Sequence, residues 1–310
     1  MVITVSLNPA QDKAIAVDGL TVDGVNRVVS TRVDAGGKGI NVAKILKVLG
    51  DDPLAMGIVG GSSGEFIRQQ LTDMQIRHDF VIGDKPTRTN LKITDRIRRT
   101  TTELNDPGEP VSDELLHKVW EKIDAAAKPG DIVVISGKNP PEMKDGILSD
   151  WIEKLQKKGV RTALDTVDEA MRLAIKAKPA IIKPNQAELA DILGEELHYV
   201  RDIIAAARKI AQQGVELVIV SMGGDGAFFV TSEHVLRGYG LKVELSSTVG
   251  SGDAMLAATI YYSQKGCTLE ETARWSIATS AANAMCEGSA TPSMDMIREL
   301  EKNVVVERLM

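Results

Sequence analysis

Asp131-Ile132-Val133-Val134-Ile135-Ser136 is apolar through its middle, and an amphipathic stretch, Lys144–Lys158, separates it from a second short run, Arg161–Asp165. A strand without polar alternation is buried on both faces, and a helix between two such strands is the crossover of a parallel pair. The same rhythm extends outward. Val2–Leu7, Ala55–Val59, Ala180–Ile182 and Glu216–Ser221 read as further strands, with Gly39–Leu49, Gly64–Met74, Ser112–Ala127 and Tyr199–Gln213 as helices. In Gly39–Leu49 the apolar residues Ile40, Ala43, Leu46 and Val48 with Leu49 follow helical spacing. The pattern predicts an α/β fold built on a mostly parallel sheet covered on both faces.

Two stretches break the rhythm. Lys13–Val33 and Thr87–Leu104 hold short β-rich runs (Ala14–Val17, Arg27–Val33, Asn90–Thr94, Thr100–Leu104) around turns such as Asp95-Arg96. They read as antiparallel strands with one wet face, a small lid sheet inserted into the main domain. The expected division gives residues 12–34 and 87–104 to the lid, and residues 1–11, 35–86 and 105–310 to the main domain.

Composition excludes several classes. With 43% hydrophobic and 26% charged residues the 310-residue chain can bury a sizeable core. A net charge of −6 argues against a nucleic-acid partner. No apolar run reaches membrane-span length, and no basic and apolar leader precedes Val2, so a cytoplasmic protein without membrane association is expected. Cys267 and Cys286 lack metal-ligand spacing and are expected to be reduced. His78, His117, His198 and His234 fall outside every motif, which disfavours histidine catalysis and zinc.

The chemistry concentrates in glycine-rich turns. Ser247-Thr248-Val249-Gly250-Ser251-Gly252-Asp253 precedes an apolar helix-like stretch. Such a turn leaves backbone N–H groups free at a helix N-terminus, where they can surround an anion. Asp253 stands at its mouth, placed to take a proton from an attacking hydroxyl. Asp34-Ala35-Gly36-Gly37-Lys38-Gly39-Ile40-Asn41 is a second turn opening a helix, with Lys38 as a charge and Asn41 one turn in. It reads equally as a simple strand-to-helix turn.

Lys183-Pro184-Asn185-Gln186-Ala187-Glu188 follows a strand end. It reads first as a capping box, and also as a pair facing phosphates and Mg²⁺ through water. Ser221-Met222-Gly223-Gly224-Asp225-Gly226 is a hairpin turn or a side-chain-free bed for a nucleotide. Asp12, Arg27, Lys38 and Arg88 are ordinary surface charges one by one, and a phosphorylated-substrate site if they converge. Neither a P-loop nor a dinucleotide fingerprint is present.

These residues, in this order, resemble the phosphofructokinase B family of ribokinase-like carbohydrate kinases, nearly end to end. The specific signatures are Gly36-Gly37-Lys38-Gly39 with Asn41, Lys183-Pro184-Asn185 with Glu188, and Thr248–Met255. The likeness is strongest to kinases of fructose 1-phosphate and tagatose 6-phosphate. It implies a ribokinase-like three-layer α/β/α fold with a β lid, and ATP-dependent phosphorylation of a ketohexose phosphate.

By the resemblance, Asp253 is the base and the backbone of residues 249–252, with Gly250, Ser251 and Gly252, the anion hole. Asp12, Gly37 and Asn41 meet sugar hydroxyls, while Arg27, Lys38 and Arg88 meet the substrate phosphate. Lys183, Asn185, Glu188, Ser221, Gly223 and Gly226 line the ATP and Mg²⁺ side. A monovalent cation such as K⁺ and a homodimer through the lid stay open. Three departures stand out. Ser136-Gly137-Lys138-Asn139-Pro140 replaces a usual Ser-Gly-Ser-Leu-Pro, so Lys138 joins the substrate-binding candidates. Asp165-Thr166-Val167-Asp168 replaces Asp-Thr-Ser-Gly, and Ser251 replaces the commoner alanine. A sugar-phosphate sensor without turnover is the rival of another class, and retention of Asp253 with Asn185 and Glu188 argues against it.

Overall fold

The computed structural model describes residues 1–310 without a break. Ten strands form one large sheet, in the order β14-β13-β12-β11-β10-β9-β8-β1-β4-β5. These are β1 (Val2–Ser6), β4 (Leu54–Val59), β5 (Arg77–Ile82), β8 (Ile132–Ser136), β9 (Arg161–Asp165), β10 (Ile181–Ile182), β11 (Leu217–Ser221), β12 (Gly226–Val230), β13 (Val235–Tyr239) and β14 (Val306–Arg308). From β11 to β5 every pairing is parallel, and β12, β13 and β14 add an antiparallel edge.

The helices are α1 (Lys38–Val48), α2 (Gly61–Asp73), α3 (Asp113–Ala126), α4 (Ile147–Lys157), α5 (Asp168–Lys176), α6 (Gln186–Leu193), α7 (Val200–Gln212), α8 (Ser251–Gln264), α9 (Leu269–Ala284) and α10 (Met294–Glu301). None is long and apolar enough to cross a membrane. One face of the sheet packs α3, α4, α5 and α7 against Val133 and Ile135. The other packs α1, α8, α9 and α10 against Ile132 and Val134. The alternation of neighbours along β8 is the period-two rule applied to a strand with two dry faces. Phe228 and Phe229 on β12 do the same, one in each core. Each contributes roughly 1.5–3 kcal/mol by leaving water.

The second sheet holds β2 (Ala10–Val17), β3 (Val28–Gly36), β6 (Arg88–Asp95) and β7 (Thr100–Leu104), in the order β3-β2-β6-β7. It differs from the expectation in one respect: β2 and β6 are parallel, while the other two pairings are antiparallel. Wet-face alternation encodes exposure but not direction. Both strands leave the same carboxyl edge of the large sheet, and that common origin makes them run together. Asp95 fixes the far end of the lid, its carboxylate accepting from the N–H groups of Gly19, Leu20, Ile97 and Arg98.

Strand order reverses on either side of β1, whose neighbours are β4 and β8. In open parallel sheets that switch point leaves a crevice at the carboxyl ends of the strands. The ends of β1, β8, β9, β10 and β11 and the start of β6 all meet there.

Candidate active site

Two cavities meet at that edge. The first, of about 440 Å³, is polar, with walls that include Asn8, Lys38, Asn41, Arg88, Lys138 and Lys183. The second, of about 250 Å³, is largely apolar, with Leu241, Val243, Leu245, Met255 and Ile277. Ser221 and Gly252 belong to both. The glycine turn at the head of α8 is thus the partition between them.

That turn is held by geometry only glycine accepts comfortably. Gly250, the cap of α8, has φ +76, in the left-handed region. At Gly252 a Cβ would come within 3.0 Å of the Lys183 ammonium. Val249 N–H donates to Ser247 Oγ and Ser251 N–H to Thr248 O, both at 3.3 Å. The N–H groups of Gly250, Gly252 and Asp253 have no protein acceptor. The free donors are therefore 250, 252 and 253, a shift from the expected run 249–252, because two members of that run close the turn itself.

Asp253 is 5% exposed, faces the polar cavity, and accepts a hydrogen bond from Asn41 Nδ2 at 2.9 Å. Asn41, expected to meet sugar hydroxyls, also orients the candidate base. Burial, then repulsion from Asp165, push the Asp253 carboxyl up to about 6, against the pull of Lys38, Asn41 and Lys183. A carboxylate so placed is a stronger base than an exposed one and still ionised at neutral pH.

Asp165 was not a site candidate from sequence, and it organises the charges. Its fully buried side chain takes Lys38 Nζ at 2.9 Å on one oxygen and has Lys183 Nζ at 3.2 Å from the other. Burial opposes its ionisation, but the two ammonium groups prevail and hold the carboxyl below its ordinary value. Lys38 in turn is pushed up: burial lowers it, and Asp165 and Asp253 more than offset that. A carboxylate closing an apolar strand at the carboxyl edge is the signal that could have found Asp165.

Asn185 and Glu188 form the capping box of α6, each backbone N–H donating to the other's side chain at 2.8 and 2.9 Å. Both also line the polar cavity, so the capping box does not withdraw them from it. Gly37 and Lys138 line it too. Gly223 and Gly226 line the apolar cavity instead, where β11 and β12 turn back in the expected hairpin. No three His, Cys, Asp or Glu side chains are grouped to hold a metal ion by themselves.

Two candidates stand apart. Asp12 does not line the polar cavity; it lines a smaller one of about 130 Å³ at the base of the lid. It accepts from Asn90 Nδ2 at 2.9 Å, and Asn90 faces the polar cavity in its place. A Cβ on Gly36 would overlap the Asp12 carboxylate, so that glycine makes room for it. Arg27 is exposed just before β3, whose register pairs Val28 with Val17 at the far end of the lid. Its lid position was legible but not its distance along the strand.

The pfkB family carbohydrate kinase model matches residues 6–296. The chain belongs to this carbohydrate kinase family. Among curated relatives, the 1-phosphofructokinase of Rhodobacter capsulatus is 36% identical over 99% of this chain and 97% of that protein. The 1-phosphofructokinase of Bacillus subtilis is 34% identical over the whole of both. Among solved structures, the phosphofructokinase-2 of Escherichia coli in complex with potassium superposes with a TM-score of 0.93 at 30% identity, covering 97% of this chain and 98% of that one. Membership implies ATP, a divalent metal and phosphoryl transfer to a sugar alcohol.

Proposed function

We propose that this kinase transfers the γ-phosphoryl group of ATP to the C6 hydroxyl of fructose 1-phosphate, forming fructose 1,6-bisphosphate. The observation that carries the reading is the partition at Gly250–Asp253. A base and three free amides stand between a charged cavity suited to a sugar phosphate and an apolar one suited to a purine. The relatives' names favour the fructose phosphate.

In this reading Asp253, oriented by Asn41, takes the C6 proton as the oxygen attacks the γ-phosphorus, and the bond from that phosphorus to the β,γ-bridging oxygen breaks with its electron pair leaving on ADP. The amides of Gly250, Gly252 and Asp253 receive the charge on the migrating group, as phosphoryl transfer asks mainly for positioning and charge stabilisation. Lys183, beside Gly252 and fixed by Asp165, adds a positive charge at the partition. Ser221, Gly223 and Gly226 border ATP.

Mg²⁺ fits the donor set, since the Glu188 carboxylate oxygen that the cap leaves free, with Asn185 beside it, would suit an ion that keeps much of its own hydration. It would neutralise phosphate charge there. The potassium complex of the Escherichia coli enzyme supports a monovalent cation as well. Lys138 is free of hydrogen bonds and ion pairs, so it and Arg88 hold the substrate phosphate, with Gly37 and Asn90 on its hydroxyls. Asp12 acts through Asn90. Exposed Val22, Val25, Val28 and Ile97 on the lid support a homodimer through it.

A coupled ADP-release assay with Mg-ATP tests the reading on fructose 1-phosphate, fructose 6-phosphate, tagatose 6-phosphate and fructose. Fructose 1-phosphate is expected to give the highest kcat/KM. A higher value for tagatose 6-phosphate would reassign the substrate, and one for fructose would remove the phosphate site.

A further inference from the structure

Three of the four crossings between the large sheet and the lid run along a fourth cavity, of about 240 Å³. They are Asn8-Pro9 before β2, Pro86-Thr87 leading to Arg88, and the strap Gly108–Ser112 after β7. The cavity floor is apolar, made by Leu7, Ile58, Val59, Val111 and Leu115. Asn8 and Arg88 line the polar cavity as well, so they form a wall between the two.

The strap is tied down through that wall. Arg88 Nη1 donates to Asp106 O at 2.6 Å, and Asn8 Nδ2 donates to Pro107 O at 2.9 Å. Arg88 Nε and Nη2 donate to Asn8 O at 3.2 and 3.0 Å. Asp84, Lys85 and Glu109 are exposed at the rim, where water and salt screen them. Arg88 is the charge that water reaches least, and desolvation already lowers its affinity for its proton. Its direct partners are carbonyl oxygens and an amide, never a carboxylate. Asp12 and Asp106 attract it only through space, and a partly desolvated guanidinium with no carboxylate in direct contact gains from meeting one.

We propose that this hinge cavity binds a small carboxylate with an apolar body, and that its occupancy sets the lid. The carboxylate pairs with Arg88, and the apolar body rests on Leu7, Ile58, Val111 and Leu115. An apolar floor with a few placed polar groups is the usual form of such a site. Binding draws the guanidinium away from the polar cavity and props the strap, so it opposes the phosphorylated sugar and leaves ATP alone. The effect on the sugar rests on the function proposed above; the binding does not.

Benzoate is the probe, titrated calorimetrically into the full-length protein, with benzamide as its uncharged counterpart. Saturable benzoate binding is expected, weakened about tenfold by either Leu115→Trp or Val111→Phe, which fill the cavity, and by the loss of charge in benzamide. Saturating benzoate should raise KM for the sugar phosphate about fivefold and shift KM for ATP less than about twofold. Absence of saturable binding, binding that survives both substitutions in folded protein, or equal shifts in both KM values would overturn the proposal. Protein inactive in the ADP-release assay without benzoate would sink the kinase reading alone, and calorimetry would still decide the site.

Discussion

The polar and apolar cavities share Ser221 and Gly252, yet the chain builds them by opposite means. On the polar side, charges from distant segments are locked before any ligand arrives: Asp165 holds Lys38 and Lys183, and Asn41 holds Asp253. On the apolar side there is almost nothing to lock. Leu241, Val243, Leu245 and Ile277 offer shape and dryness, and glycines keep the floor bare. The lesson is that precision is concentrated where charges converge; in the proposed reading the rest of the nucleotide needs only a slot that excludes water.

Substitutions on the two sides should therefore fail differently. The largest effect is expected from Asp253→Asn: a fall in kcat of about 10²–10⁴-fold, with ATP affinity changed less than about twofold. Steady-state kinetics with a nucleotide titration would show it, and a loss of ATP binding would blur the two sides.

Asp165→Asn comes next, because it strands two lysines, one of them nearly buried. A loss of about 3–5 kcal/mol in unfolding free energy is expected from denaturant melts, together with lower kcat. Unchanged stability would mean that the cluster is not the lock described here.

Lys138→Ser should raise KM for the phosphorylated sugar about tenfold and leave KM for ATP in place. Ala281→Phe, on the apolar wall, should do the reverse by a similar or smaller factor, through steric filling. If either substitution moved both KM values equally, the division of labour between the cavities would be wrong.

The smallest effect is a matter of stability and pH. The Asp253 carboxyl is raised in the folded protein, so its contribution to stability is present below the unfolded value near 4 and fades as pH rises through about 6. Asp253→Asn lacks that loss. Its Tm relative to the parent should climb between pH 4 and about 6 and then level off, and a constant offset across that range would remove the raised carboxyl.

The same contrast explains what could be read from the sequence. Runs such as Ile132–Ile135 and the glycine turn before Asp253 are local signals, so the layers of the fold and the turn that carries the proposed base were legible. So was the Asn185–Glu188 box, whose reciprocal bonds span only three residues. Asp165 was noticed only as part of an unusual motif, since its role depends on lysines 127 residues before it and 18 after it in the chain. The apolar wall left no trace, because Leu241, Met255 and Ile277 are ordinary core residues until the fold lines them up. Arg27 and Asp12 show the reverse. Their charge suggested the site, but register along the lid carried Arg27 to its outer end, and an intervening Asn90 sets Asp12 behind the cavity wall.

The most direct test follows kcat/KM with pH, which reports the free enzyme's groups, for the parent enzyme and Asp253→Asn side by side. The parent should lose activity through a single acid limb near pH 6, and the residual activity of the variant should show no such limb. A sugar phosphate that titrates in the same range would leave its mark on both, so the same limb in both proteins would contradict Asp253 as the base, as would a variant with full turnover.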